Sequence, residues 1–320
     1  MAAKKTATPN QDLHGLLIVD KGGYDPTQPE ARLWTSHDVV AVVRRLSGQR
    51  RIGHTGTLDP MASGLLVLCL GQATRLVEYY QGHDKRYEAV VALGSATDTY
   101  DAVGETVAEA AVPTLSDDQV EAALANFRGD ISQKPPIYSA LKQEGEALYA
   151  KARRGEEVVV KERPVTIHQL NLVARTPTTL TLDVTCSAGT YIRSLAHDLG
   201  EALGTVAHLA ALRRSTAGSF TLADAHTIPM IEAAVEAGTL REMLLPLGVK
   251  LGLPTMTLDE ATALRFSHGQ RVVMDETSDL PTQELVLTQA ADGTALGIVR
   301  CLGRQTDTSL WKAEKWLAIA

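Results

Sequence analysis

One aspartate sits in a stretch shaped to present it. Residues 53–64 read GHTGTLDPMASG, and Asp59 is the only acid among them. Gly53, Gly56, Gly64 and Pro60 punctuate turns, and the apolar run from Leu65 to Leu70 reads as a buried strand. Pro60 steers the residue before it away from helix, which restricts how Asp59 is held. A carboxylate held on such a loop can act as a nucleophile or stabilise positive charge. Asp-Pro is also an ordinary turn dipeptide whose aspartate caps backbone, and the loop alone leaves both readings open. Arg44, Arg45, Arg50 and Arg51, with His54, precede it. A helix C-terminus accounts for two such cations; four arginines suit a phosphate-binding edge.

The surrounding elements must position that loop. GLLIVDKG (15–22) reads as a short buried strand ending at Asp20-Lys21. GYDPTQPEARLW (23–34) reads as a turn-rich loop insertion. Thr35-x-x-Asp38 opens a helix that carries Val39, Val40, Val43 and Leu46 and ends near Gly48. Residues 71–82 form a short amphipathic helix. KRYEAVVALG (85–94) alternates, with Tyr87, Ala89, Val91 and Leu93 on one face. A polar, acidic loop occupies 95–105, and Ser116-x-x-Gln119 starts another helix. The stretch 129–160 begins at a rigid Pro-Pro and reads as a charge-dense helical segment, on composition a solvated surface. TLTLDVTCSAG (179–189) alternates as a strand, and Thr190-Tyr191-Ile192-Arg193 turns it into a helix. Such a corner can aim a side chain at a neighbouring site. Leu212, Arg213 and Arg214 follow, then helical pieces over 224–245. From about Leu251 the texture is short strands and turns, with Ala-Asp-Gly-Thr (291–294) as a hairpin turn.

Composition narrows the function classes. The 320 residues are 44% hydrophobic and 22% charged, enough for one large domain and a small one. A formal charge of −7 argues against bulk nucleic-acid coating but allows a local basic groove. Aromatics are 4%, so stacking must rest on few rings. Cys69, Cys186 and Cys301 lie far apart in apolar runs, with no metal spacing or disulfide framework, which reads as a reducing, cytoplasmic setting. The polar start reads as neither signal peptide nor membrane anchor, and no run is long enough to span a bilayer.

Four long motifs in one order identify a family. GHTGTLDPMASGLLVLCLGQATR, KRYEAVVALGSATDTYDAVGE, PPIYSALKQEGEALYAKARRGEEV and CSAGTYIRSLAHDLGEALG resemble the bacterial tRNA pseudouridine-55 synthases, the TruB family. The resemblance covers roughly 14–230. It implies an α+β pseudouridine-synthase fold with a mixed, mainly antiparallel central sheet, plus a small C-terminal β-barrel (PUA-like) domain. The implied division is a disordered tail over 1–12, a catalytic domain over 13–248 with an RNA-clamping thumb at about 129–160, and a PUA-like RNA-binding domain over 249–320. It further implies isomerisation of one uridine in the T-loop of tRNA, with no cofactor or metal, no membrane role, no obligate protein partner and a monomeric enzyme that also assists tRNA folding.

The same resemblance assigns residues. Asp59 is the essential carboxylate and Arg193 its partner; at a helix N-terminus an arginine is otherwise unfavourable. Tyr87 stacks on the flipped uracil, its hydroxyl placed to help remove the C5 proton, and Leu212 lies on the other side of the base. His54 fills space beside the flipped nucleotide. Asp20 and Tyr191 are substrate-side residues, Asp101 a network partner, and Arg75 a phosphate or network cation. The chain departs from the family at Lys21, which runs into the longer 23–34 segment instead of a short turn. Two other readings compete: a guide-RNA-directed synthase subunit, and a non-catalytic tRNA chaperone. The thumb-like segment and the lack of a long basic tail favour the stand-alone enzyme over the first. Asp59, Tyr87 and Arg193 together argue against the second.

Overall fold

The computed structural model describes residues 12–25, 27–28, 31–139, 142–143, 146–147, 154, 160–275, 284–304 and 308–317. The tail expected over 1–12 falls outside them apart from Asp12, and so do 140–141, 144–145, 148–153 and 155–159 of the expected thumb. In chain order the strands are β1 (Gly15–Lys21), β2 (Ile52–His54), β3 (Ser63–Leu70), β4 (Lys85–Leu93), β5 (Ser95–Thr97), β6 (Thr106–Glu109), β7 (Gly129–Gln133), β8 (Lys142–Gln143), β9 (Glu146–Ala147), β10 (Arg163–Arg175), β11 (Thr179–Cys186), β12 (Ala207–Ala217) and β13 (Phe220–Thr221). The C-terminal strands are β14 (Thr255–Thr257), β15 (Val272–Asp275), β16 (Leu285–Gln289), β17 (Ala295–Arg304) and β18 (Thr308–Trp316). The helices are α1 (Ser36–Ser47), α2 (Val77–Gln81), α3 (Asp117–Ala125), α4 (Ile192–Ala202), α5 (Ile228–Ala237) and α6 (Glu260–Ser267).

The central sheet runs β1-β3-β12-β4-β11-β10-β7, with β2 on β3 and β13 on β12. Its pairs are antiparallel except β12 with β3, where Arg213 lies opposite Ser63 and Arg214 opposite Gly64. The sheet is therefore mixed and mainly antiparallel. Burial explains its two kinds of strand sequence. β1 and β3 are covered on both faces: Leu17, Val19, Leu66 and Leu68 enter one core, Leu16, Ile18, Leu65 and Val67 the other. Strands buried on both sides read as continuous apolar runs. β4 and β11 bury one face, with Tyr87, Ala89, Leu182 and Val184 in the first core, so they alternate.

The helix boundaries follow from side chains. Thr35 and Asp38 close a reciprocal capping box on α1, and Gly48 ends it at φ 70°. Ser116 and Gln119 do the same for α3. The helix expected over 71–82 is a 3-10 turn (Gly71–Leu76) followed by α2.

The C-terminal sheet, order β14-β16-β17-β18-β15, is a curled half-barrel with its own core of Trp311, Phe266, Val286, Val299 and Cys301. α6 packs on it, a helix that the turn-rich reading of this region passed over. The Ala-Asp-Gly-Thr hairpin joins β16 to β17. Leu287, Ala295, Ile298 and Leu317 enter the second core beside β1 and β3, so this sheet closes the back of the central one. Tyr80 donates to the Val249 carbonyl at 2.8 Å and Lys315 pairs with Glu78 at 2.8 Å. The helix expected within 129–160 is corrected in part: Lys142–Gln143 and Glu146–Ala147 pair as the two short strands β8 and β9. Among the described residues no helix is long and apolar enough to cross a membrane.

Candidate active site around Asp59

The Asp59 loop bridges β2 and β3 and is held by groups that the chain brings from afar. The Ser36 hydroxyl, at the start of α1, accepts from Leu58 N–H (2.8 Å) and lies 3.1 Å from the Leu58 carbonyl. Ala62 N–H returns to the Asp59 carbonyl at 3.0 Å. Lys21, 1% exposed at the end of β1, donates to the carbonyls of Gly22 (2.9 Å), Pro60 (3.1 Å) and Ala62 (2.5 Å). Burial pulls its ammonium down to about 8, with the Asp59 charge opposing that shift. The insertion also docks here: Tyr24 N–H donates to the Met61 carbonyl at 2.8 Å.

Arg193 meets Asp59, the pairing that the family resemblance implies. It is the second residue of α4, which lacks a side-chain cap; Gln133 anchors the residue before the helix, accepting from Tyr191 N–H (2.8 Å) and donating to the Tyr191 carbonyl (3.0 Å). The guanidinium donates to Asp59 Oδ1 at 3.1 Å through Nη2, and Nε lies 2.9 Å from Oδ2 but off the line a hydrogen bond needs. Its remaining donors reach the carbonyls of Thr99 (2.9 Å) and Tyr138 (3.0 Å), and Nη1 lies 3.5 Å from Asp101 Oδ2. Arg193 and Asp101 are 6% and 4% exposed, while Asp59 keeps 30% of its side chain open. One buried cation therefore faces two carboxylates, and only Asp59 faces outward. Burial pushes the Asp101 carboxyl up, against the Thr99 hydroxyl and the Arg193 charge that favour its anion.

The other expected residues divide. Tyr87 is buried on β4 opposite Arg214, and Leu212 lies opposite Ala89 on the same face. Burial pushes the Tyr87 hydroxyl up, so the phenol keeps its proton near neutrality. His54 on β2 meets the edge of the His37 ring at 6.4 Å; burial, His37 and Arg214 all lower it. Tyr191 directly precedes the helix that carries Arg193, and burial raises its hydroxyl. Asp20 is turned to Arg213 at 2.8 Å, one position before Lys21. Arg75 is not gathered in: it is exposed on the 3-10 turn beyond the far end of β3, with no contact to Asp59 among the described residues. Arg44, Arg45, Arg50 and Arg51 are exposed, and none has a carboxylate partner among the described residues.

Sequence reading passed over Arg214, Lys85 and Gln133. Arg214, 3% exposed, donates to the carbonyls of Leu65 (2.7 Å), Thr57 (3.4 Å) and Gly56 (3.0 Å). Lys85 donates to the carbonyls of Gln81 and His83, and burial pulls it down to about 8. The signal for Arg214 was present: alternation puts it on the inward face with Leu212. Among the described residues the one group spaced for a metal is His197, Asp198 and Glu201, on α4 and separate from the Asp59 loop.

Comparison with known proteins identifies the family. Residues 44–192 match the TruB family pseudouridylate synthase N-terminal domain, and 193–251 match the tRNA pseudouridylate synthase B C-terminal domain. The tRNA pseudouridine synthase B of Xanthomonas euvesicatoria is 44% identical over 301 residues, 93% of this chain and 94% of its own length. That of Ralstonia nicotianae is 43% identical over 298 residues, 92% and 91% of the two chains. The structure of a Cbf5-Nop10-Gar1 complex superposes with a TM-score of 0.72 at 22% identity, covering 98% of this chain and 92% of the other, a likeness of fold. With 44% identity across almost the whole of a curated relative, and both family models in order along it, this chain belongs to the TruB family of pseudouridylate synthases.

Proposed function

We propose that this isomerase converts uridine 55 in the T-loop of tRNA to pseudouridine, acting alone on tRNA in the cytoplasm. The reaction breaks the N1–C1′ bond, turns the uracil and forms a C5–C1′ bond. C5 loses a proton and N1 gains one, so neither an oxidant nor a co-substrate is needed. The observation that carries the reading is the Asp59 carboxylate, partly open to solvent and gripped from behind by a buried guanidinium. Such a carboxylate is oriented toward a ligand by its partner.

The target base must leave its stack, at a cost of a few kcal/mol repaid by stacking and pocket contacts. Tyr87 and Leu212 share the face behind the loop and supply the walls for the extruded uracil. A protonated Tyr87 serves as stacking ring and hydrogen-bond partner more readily than as the acceptor of the C5 proton. Asp59 then meets the sugar–base unit as nucleophile or as stabilising anion. Asp101 acts through Arg193, and His54 lines the RNA side. The exposed arginines at 44–51 and Arg75 suit phosphates of the stem, and residues 249–320 a PUA-like RNA-binding unit.

The test is direct. Purified protein is incubated with unmodified tRNA transcript and no guide RNA, and pseudouridine is mapped by position. Formation at position 55 supports the reading; no product, or product only with a guide RNA, overturns it. Binding should also weaken with salt, since phosphate contacts are ionic.

A further inference from the structure

Arg214 carries a buried charge for which the sheet itself has no use. Among the described residues it has no carboxylate partner within ion-pair distance; it donates to three backbone carbonyls and also reaches the Tyr87 hydroxyl. A methionine would fill similar space without the desolvation penalty of a buried cation. The acceptors are telling. Gly56 and Thr57 lie where the chain enters the Asp59 loop and Leu65 where it leaves, so one planar head ties both arms together. Its backbone is equally placed: Arg214 is the cross-strand neighbour of Gly64 on one side and Tyr87 on the other. Gly64 has φ +100°, and a Cβ there would run into the Arg214 carbonyl, so the loop end and this residue are in direct contact. The Arg214 charge also bears on Tyr87, His54, Lys21 and Lys85.

We propose that Arg214 is a positioning residue for catalysis: its guanidinium sets the distance between the Asp59 loop and Tyr87, and so fixes the gap that receives the flipped base. A lysine keeps the charge but is a point donor and cannot reproduce the fork. The inference rests on the proposed isomerase reading.

The test uses full-length protein, unmodified tRNA transcript, single-turnover rates and tRNA affinity, for wild type, Arg214→Lys and Arg214→Ala. An inactive wild type would sink the isomerase reading before the variants are compared. With active wild type, both variants should fold, bind tRNA within about threefold and react about 100-fold more slowly, the loss that a misplacement of about 1 Å produces. Millimolar guanidinium should raise the Arg214→Ala rate about tenfold and leave wild type and Arg214→Lys unchanged. A rate for either variant within threefold of wild type would overturn the proposal. Lack of guanidinium rescue, or failure of both variants to fold, would also do so, leaving Arg214 a structural residue.

Discussion

The Asp59 loop and the C-terminal sheet are both well anchored, by opposite means. Around Asp59 the anchors are charged: Lys21, Arg193 and Arg214 are buried and spend their donors on backbone carbonyls and one outward carboxylate. In the C-terminal sheet they are apolar: Trp311, Phe266, Val286 and Val299 pack together, and the buried polar groups are neutral, as in Thr288 to the Gly297 carbonyl at 3.0 Å. Apolar burial stabilises at little risk. Buried charge adds little net stability but makes geometry hard to change, because a displaced cation loses its partners. The first region is therefore built for placement and the second for cohesion.

The sharpest way to break that contrast is Asp59→Asn. On the placement view it should lower pseudouridine formation by about 10⁴-fold or more, as loss of a reacting group does. tRNA affinity should stay within about tenfold, roughly 1.4 kcal/mol. Rapid mapping of product and a filter-binding titration measure the two. Turnover near wild type would show that the carboxylate is only a turn residue.

The opposite change is Trp311→Ala in the C-terminal core. Removing a fully buried indole should cost about 3–5 kcal/mol, read as a lower melting midpoint. Turnover per folded molecule at low temperature should remain within about threefold. A large loss of turnover without loss of stability would mean that this sheet positions the site directly.

Arg193→Met should lie between the two, because it removes a charge that both holds the fold and places Asp59. It strands the buried Asp101 carboxylate beside the half-open Asp59. The expected loss is about 3 kcal/mol of stability, with the Asp59 share reduced by its exposure. Turnover should fall with it, and denaturant unfolding beside a turnover assay separates the two effects. If only the rate falls, the cation has no structural share.

The sheet was legible wherever burial imposes a period. The continuous runs of β1 and β3 and the alternation of β4 and β11 stand in the sequence because each strand answers to one or two buried faces. Capping boxes at Thr35 and Ser116 marked helix starts for the same local reason. Asp59 was legible as a presented carboxylate, but its partner 134 positions away was not, except through family resemblance. Nothing local distinguishes Arg193 from any first-turn arginine; alternation sets Arg214 inward, unlike the half-buried Arg213 before it, but does not say what it binds. Their roles depend on which backbone carbonyls the fold brings within reach. α6 was missed because its eight residues bury Phe266 but otherwise form a mostly exposed surface beside turns. The stretch holding β8 and β9 read as helix from composition because lysine, glutamine and glutamate are good helix formers, a weak preference that tertiary context overrides.

The mildest test concerns Lys21, where the placement region should show its thermodynamic cost. Its folded value is about 8, below the ordinary 10.5, so the unfolded chain binds its proton more tightly. The stability tied to this group is present above about pH 10.5 and is lost as pH falls through about 8. Between pH 7 and pH 9 the wild type should therefore gain about 1 kcal/mol relative to Lys21→Met, the integral of that proton difference. The paired comparison matters because tyrosines such as Tyr87, raised by burial, act in the opposite direction at higher pH in both proteins. Equilibrium unfolding at the two pH values measures it. A flat difference would mean that the Asp59 charge and the three carbonyls fully offset burial, and the ammonium would then be an unstrained part of the loop.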